Sequence, residues 1–185
     1  ERAKIELSSV QQTEIMAKLQ VTDTELKIYY EANKNSFSTV PQVTLREITA
    51  ETVRAICNLD VAPEQRGYVA SNAVSIAQAY FQPRAWFRAV YAAETPVGFV
   101  MLDIDPESEE YFLWRFMIAA DQQGRGYGRR ALDLAVEHVR RLPGAARLVS
   151  SYVPGEHGPR DFYLRYGFVE TGEVEGGEHE IELTL

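Results

Sequence analysis

The chain has 185 residues, 45% of them hydrophobic and 25% charged, the balance of an ordered globular protein with room for one domain and an appendage. Its formal net charge of −8 argues against a general grip on phosphate backbones, which needs clustered Lys and Arg, so nucleic acid is not an expected partner. The single cysteine, Cys57, rules out an internal disulfide and any multi-cysteine metal site, and no metal is expected. No run reaches the ~18 apolar residues of a membrane span and the first residues lack a signal peptide's apolar core, so the expectations are no membrane partner and a cytoplasmic location.

In chain order, Ile5 and Leu7 alternate like a short strand, and Ile15, Met16 and Leu19 give a helix over about residues 11–18. Thr22-Asp23-Thr24-Glu25 is a capping-box sequence that opens a helix through Leu26, Tyr29 and Tyr30 toward Asn33, broken by residues 33–41. The string from Val21 to Lys34 resembles a helix just ahead of the isomerase domain in periplasmic parvulin-type foldases. It carries none of that family's catalytic residues, so it implies no isomerase activity. Residues 1–42 are expected to form a helical appendage too small to fold alone. It either packs on the following domain or on another subunit, as in a homodimer, or is a fusion segment.

Residues 43–48 alternate as a strand, Thr49-Ala50-Glu51 starts a helix, and Val53, Ile56, Cys57 and Leu59 keep helical spacing, with Cys57 expected to be a buried structural thiol. A second helix is expected over 72–80. Three strands follow, at 86–93, 97–104 and 110–119, separated by Glu94-Thr95-Pro96 and by Asp105-Pro106-Glu107-Ser108, which predicts an antiparallel meander. Beyond a glycine-rich run, Ala131, Leu132, Leu134, Ala135, Val139 and Leu142 mark a helix ended by Pro143-Gly144. A strand at 147–152, a helix at 159–166 and closing strands at 168–171 and 179–184 complete a mixed α/β order with one βαβ crossover.

The informative segment is residues 116–132, an apolar strand that runs through Gly124, Gly126 and Gly128 into a helix, with Arg125, Arg129 and Arg130 beside the glycines. Such a turn presents unpaired backbone N–H groups at a helix N-terminus, and absent β-carbons let a pyrophosphate approach closely. The alternative is that the glycines only shape a tight strand-to-helix turn. A Walker-type site would need Gly-Lys-Ser/Thr, which is absent, and a dinucleotide-binding fold would place its turn after the first strand rather than after a meander.

Gln123, Gly126 and Gly128 match Gln/Arg-x-x-Gly-x-Gly/Ala, and Phe162, Tyr163, Gly167 and Phe168 match Phe-Tyr-x-x-x-Gly-Phe. With the element order of 43–185, these motifs resemble the GNAT superfamily of N-acetyltransferases. The resemblance implies an α/β (α+β) fold whose mixed, mostly antiparallel central sheet is flanked by helices, and acetyl-CoA as acyl donor. It implies that the pyrophosphate sits on the backbone of Gln123, Gly124, Arg125, Gly126, Tyr127 and Gly128, with Arg129 beside it. The pantetheine arm would pair with Phe116, Met117 and Ile118. Tyr163 becomes the position that protonates the leaving thiolate as an amine attacks the thioester.

Relatives that use a side-chain base often carry a carboxylate on the fourth strand, where this chain has Phe112 and Trp114. Glu110 is the nearest acid on that strand face, and a chain of waters is the alternative base. Glu156 and Pro159 replace the common Asn and Ala ahead of the Phe-Tyr pair. The segments 79–81, 96–102, 112–116 and 152–156 are similar to the spermine/spermidine, or diamine, branch. A polyamine would favour an acidic cleft, for which Asp103, Asp105, Glu107, Glu109 and Glu110 are candidates, against the reading of an acidic solvated turn. Three functions remain: acetylation of a polyamine or other small diamine, acetylation of another amine such as a protein N-terminus or a drug, and non-catalytic acyl-CoA binding.

Overall fold

A computed structural model describes residues 42–185, together with Thr24, Lys27 and Ile28, which are helical. The chain divides into two compact units, Glu1–Thr39 and Val40–Leu185. The strand expected at Ile5 and Leu7, the helix over 11–18 and the remainder of the helix after the capping box lie outside the described residues. Among the described residues, no helix is long and apolar enough to cross a membrane.

The second unit runs β1 (Val43–Arg46), α1 (Val53–Cys57), a 3-10 turn (Pro63–Gln65), α2 (Asn72–Tyr80), β2 (Ala85–Ala92), β3 (Thr95–Asp105) and β4 (Glu110–Ile118). It continues through a 3-10 turn (Ala120–Gln122), α3 (Tyr127–Arg140), β5 (Arg147–Tyr152), α4 (Arg160–Tyr166), β6 (Val169–Glu175) and β7 (Glu178–Thr184). The strands form one seven-stranded sheet in the order β1-β2-β3-β4-β5-β7-β6. Every pairing is antiparallel except β4 with β5, which α3 joins as a crossover. This is the expected mixed, mostly antiparallel architecture.

Burial explains the layering. β3 is near-continuously apolar from Val97 to Leu102, and it lies in the middle of the sheet with both faces covered. Alternation sends Val100 and Leu102 into a core with Leu132, Val136 and Val139 of α3 and Tyr163 of α4. Phe99 and Met101 point the other way, into a core with Ile56 of α1 and Ile76 of α2. The buried stripe of α3, Ala131, Leu132, Ala135, Val136 and Val139, keeps one helical face on the sheet. Ser71 caps α2 by accepting from the Val74 amide at 3.4 Å.

Several boundaries differ from the sequence expectation, each for a local reason. The β2–β3 loop is only Ala93-Glu94, with Ala93 at φ 52°, so Thr95 and Pro96 belong to β3. Pro96 is tolerated because it lies next to a bulge, where Tyr91 pairs with Pro96 and Val90 with Gly98. α1 is shorter than the expected 51–59, since Thr49, Glu51 and Thr52 spend their side chains on turn hydrogen bonds. Cys57 is half-buried rather than buried, and Ile56 beside it fills the core. β6 and β7 extend to a Gly176-Gly177 turn with both glycines at positive φ.

Candidate active site

The centre of the sheet is also where its pairing fails. β4 and β5 pair only at Phe112 with Val149 and at Leu113 with Ser150. Beyond Leu113 the strands part, so the β5-facing backbone of β4 from Trp114 onward has no strand partner, a gap that a ligand's amides can fill. A bulge sits at the parting: Leu102 pairs with Leu113 but Met101 with Arg115, leaving Trp114 as the extra residue. A cavity of about 1110 Å³ opens there.

At one end of the cavity lies the glycine-rich turn. Gly124 and Gly126 have φ of 74° and 80°, which lets the chain reverse out of β4 and start α3. Gly126 is the residue ahead of α3 and supplies no side-chain cap, so the first N–H groups of the helix face the cavity without a side-chain acceptor. Gln123 anchors the turn: its amide nitrogen donates to the Ile118 carbonyl at 2.9 Å and to Gln65 Oε1 at 2.8 Å. Gly128 lies on the cavity wall, and a β-carbon there would sit 3.4 Å from the Phe162 ring. Arg129 reaches over the Tyr166 ring at 5.4 Å, and Tyr166 donates to Asp133 at 2.9 Å. These features fit an anionic, phosphate-bearing ligand.

At the other end, Tyr163 on α4 is 5% exposed, with its ring edge-on to Phe162 and Phe168 at 5.4 and 5.3 Å. Burial drives its phenol well above the ordinary tyrosine range, against the smaller pull of the Ser150 hydroxyl beside it. The phenol therefore stays protonated at neutral pH. Ser150 itself donates to the Leu113 carbonyl at 2.9 Å, at the last paired residue before the strands part. α4 is braced from outside: Arg160 donates to Glu170 on β6 at 2.9 Å, and the Tyr152 hydroxyl donates to the same carboxylate. Those two partners hold the Glu170 carboxyl down to about 2.

Most of the residues singled out in the sequence meet in this one cavity. Phe116, Met117, Ile118, Gln123, Gly124 and Gly126 line it, as do Tyr127, Gly128, Arg129 and Tyr163. Two do not. Arg125 lies in the turn but outside the cavity lining. Glu110 is the first residue of β4, paired with Asp105 at the far end of the hairpin, before the stretch where β4 and β5 are joined. It is remote from the parting and is not retained as a base.

The acidic hairpin likewise fails to line the cavity. Asp103 and Asp105 pair with Arg84, at 2.9 and 2.5 Å, and Asp105 accepts from the amides of Glu107 and Ser108 in the turn. Its acids are answered by Arg84 and by turn amides rather than by the cavity, so the acidic cleft is not formed by that segment. Among the described residues, no cluster of His, Cys, Asp and Glu is arranged to hold a metal ion.

The cavity also has walls that sequence reasoning missed. Tyr68, in the irregular stretch after the first 3-10 turn, packs against Gly155 and Gly158 of the β5–α4 loop. Arg115 is half-buried: it donates to the Trp114 carbonyl at 2.8 Å and to Gln78 at 3.3 Å, while its Nε is buried without a partner. Burial lowers its pKa, opposed by the negative charge of Glu178. Glu178, the first residue of β7, lines the same cavity and accepts from the Ser151 hydroxyl. Neither Tyr68 nor Glu178 lies in a motif; one is in a loop without periodicity, the other within a glutamate-rich hairpin.

A family model described as the acetyltransferase (GNAT) family matches residues 53–168. The chain is 27% identical, over 143 residues that cover 72% of it and 91% of the relative, to a spermine/spermidine N(1)-acetyltransferase of Bacillus subtilis (strain 168). Its fold is similar to that of the PaiA N-acetyltransferase from Thermoplasma acidophilum in complex with coenzyme A, at TM-score 0.59 and 15% identity, covering 78% of this chain and 99% of that one. It is similar also to spermidine N-acetyltransferase from Vibrio cholerae in complex with CoA and spermine, at TM-score 0.58 and 19% identity, covering 77% of this chain and 95% of that one.

Proposed function

Because the chain belongs to the acetyltransferase (GNAT) family and is an acetyl-CoA-dependent N-acetyltransferase, we propose that its acceptor is a polyamine or another small diamine, acetylated in a ternary complex in the cytoplasm. The single observation that carries the assignment of roles is that one cavity joins the glycine turn, the parted edge of β4 and the buried phenol of Tyr163. The acetyl-CoA pyrophosphate rests on the backbone of residues 123–128, where Gly126 and the uncapped start of α3 offer donors and a favourable dipole. The pantetheine amides pair with β4 at Phe116, Met117 and Ile118, taking the place of the missing β5 ladder.

The reacting carbonyl then lies near the Leu113–Trp114 parting. A neutral amine attacks it, a C–N bond forms, and the C–S bond breaks with its electron pair on sulfur. Tyr163 gives its phenolic proton to that sulfur, and the nitrogen loses its extra proton to water in the cavity. The burial that raises the Tyr163 pKa keeps the proton available throughout the neutral range. Residues 43–185 form the transferase domain and 1–42 an appendage outside this chemistry.

The likeness to named polyamine acetyltransferases supports the acceptor. Turnover of acetyl-CoA with spermidine, spermine, a peptide N-terminus and an aminoglycoside tests it. Preference for the polyamines is expected. Preference for the peptide or the aminoglycoside would move the acceptor to another amine class, and acetyl-CoA binding without turnover of any amine would leave a binding module.

A further inference from the structure

We propose that Glu178 is the specificity-determining residue for the acceptor: its carboxylate holds the ammonium group that stays charged while another nitrogen of the same molecule attacks. This rests on the acetyl-transfer reading of the cavity and names the group that selects diamines over monoamines.

The argument starts from β5. Ser150 and Ser151 are consecutive, so their side chains leave opposite faces of the sheet. Ser150 is buried and turned to the Leu113 carbonyl and Tyr163, on the face covered by α3 and α4. Ser151 is turned to the other face and donates to the Glu178 carboxylate. The proton donor for the thiolate and the Glu178 carboxylate therefore flank the same strand end from opposite sides. An acceptor that enters on the α1/α2 side meets Glu178 on its way to the parting of β4 and β5.

Charge on that side is sparsely answered. Among the described residues only two carboxylates line the cavity, Asp161 and Glu178. Asp161 lies on α4, near Arg160 at 3.7 Å. Glu178 forms no salt bridge among the described residues: its charge is felt by Arg115, but that guanidinium directs its terminal nitrogens to the Trp114 carbonyl and Gln78. One oxygen of Glu178 is fixed by Ser151 and the carboxylate faces the cavity. A fixed, unpaired carboxylate at a cavity wall favours a cationic guest. The attacking nitrogen must be neutral, so the cation it favours is a second amine of the acceptor.

Steady-state kinetics on the full chain, wild type against Glu178→Gln and Glu178→Asp, with spermidine and with an alkyl monoamine of the same length, tests this. Glu178→Gln is expected to lower the spermidine-over-monoamine ratio of kcat/KM by about tenfold or more, with the loss in KM rather than kcat, and Glu178→Asp to recover part of it. Acetyl-CoA affinity, read by calorimetry, reports whether each variant keeps its donor site. An unaltered ratio in Glu178→Gln, or an equal loss for both amines, overturns the proposal while leaving polyamine acetylation standing. Absence of spermidine turnover in the wild type sinks the polyamine reading itself, and this inference with it.

Discussion

Gly128→Ala separates the structural use of the glycine turn from its use as a cradle. Gly128 lies in the first turn of α3, and its new β-carbon would sit 3.4 Å from Phe162 Cε2 and 3.6 Å from Ile118 Cγ1, ordinary contacts that need no rearrangement. Replacing glycine by alanine in a helix gains at most about 1 kcal/mol, and in a domain of this size that raises the melting temperature by about 2–4 °C. The same methyl stands on the cavity wall to which the proposed site brings the pyrophosphate. At an acetyl-CoA concentration one hundred times the wild-type dissociation constant, the wild type gains about 2.7 kcal/mol, and a variant that binds tenfold more weakly gains about 1.4 kcal/mol. Differential scanning fluorimetry with and without acetyl-CoA should therefore show a more stable free protein with a ligand shift cut to about half. A full ligand shift in Gly128→Ala would refute the cradle, and a free protein several degrees less stable would refute the packing argument. Gly126 is the poorer probe, because at φ 80° any side chain is strained before a ligand is considered.

Tyr163→Phe keeps the ring in its aromatic cluster and removes the proton; kcat should fall about 10²-fold or more, with acetyl-CoA affinity retained, and wild-type turnover in a stable variant would remove Tyr163 from the mechanism. A protein of residues 41–185 should keep turnover within about tenfold of the full chain, since both motifs lie downstream; loss of turnover in a well-folded truncation would show that the appendage shapes the site. His138 stacks on Trp86 at 4.1 Å with its Nε2 buried and unpartnered, and burial followed by Arg88 and Arg141 lowers its pKa. A His held neutral on folding gives stability that is present above the unfolded pKa of about 6.5 and lost as pH falls below it. Melting temperature should thus drop less between pH 7.5 and 5.5 in His138→Phe than in the wild type, and equal drops would refute the assignment.

What the sequence made legible follows from which signals are local. Glycine spacing, the Phe-Tyr pair and the apolar stripe of α3 are written in neighbouring residues, and they placed the turn, the phenol and the crossover correctly. No apolar alternation marks the length of β6, because all seven of its residues are exposed at the sheet edge. Parity along β4 alone points to Glu110 but ignores where β4 stops pairing with β5, which depends on a strand some 35 residues further on. The charge of the 103–110 hairpin was visible, but Arg84, its answer, comes from the start of another strand. Glu178 was hidden for the opposite reason: among the six glutamates of 169–184, only tertiary position sets it apart.

The bulge at Trp114 is the feature on which both halves of the site depend. In a regular strand Leu113, Arg115 and Met117 would share one face. Leu113 faces the α3/α4 core, so Arg115 would be driven into that apolar layer with its charge unanswered, and Met117 would leave the α1/α2 core that it fills. The extra residue resets the parity, so Phe116 takes the next place on the α3/α4 side, stacked on Phe162 at 5.8 Å, while Trp114 and Met117 join the other core. Arg115 turns toward Gln78 of α2. The same irregularity lies just where β4 leaves β5, next to Tyr163 on one side and facing Glu178 on the other. The step shows in the residues that face the α3/α4 core, Tyr111, Leu113 and Phe116, and not in the sequence, where Phe112 and Trp114 are apolar as well. In the reading proposed above, that step divides the groups of β4 between the acyl donor and the acceptor.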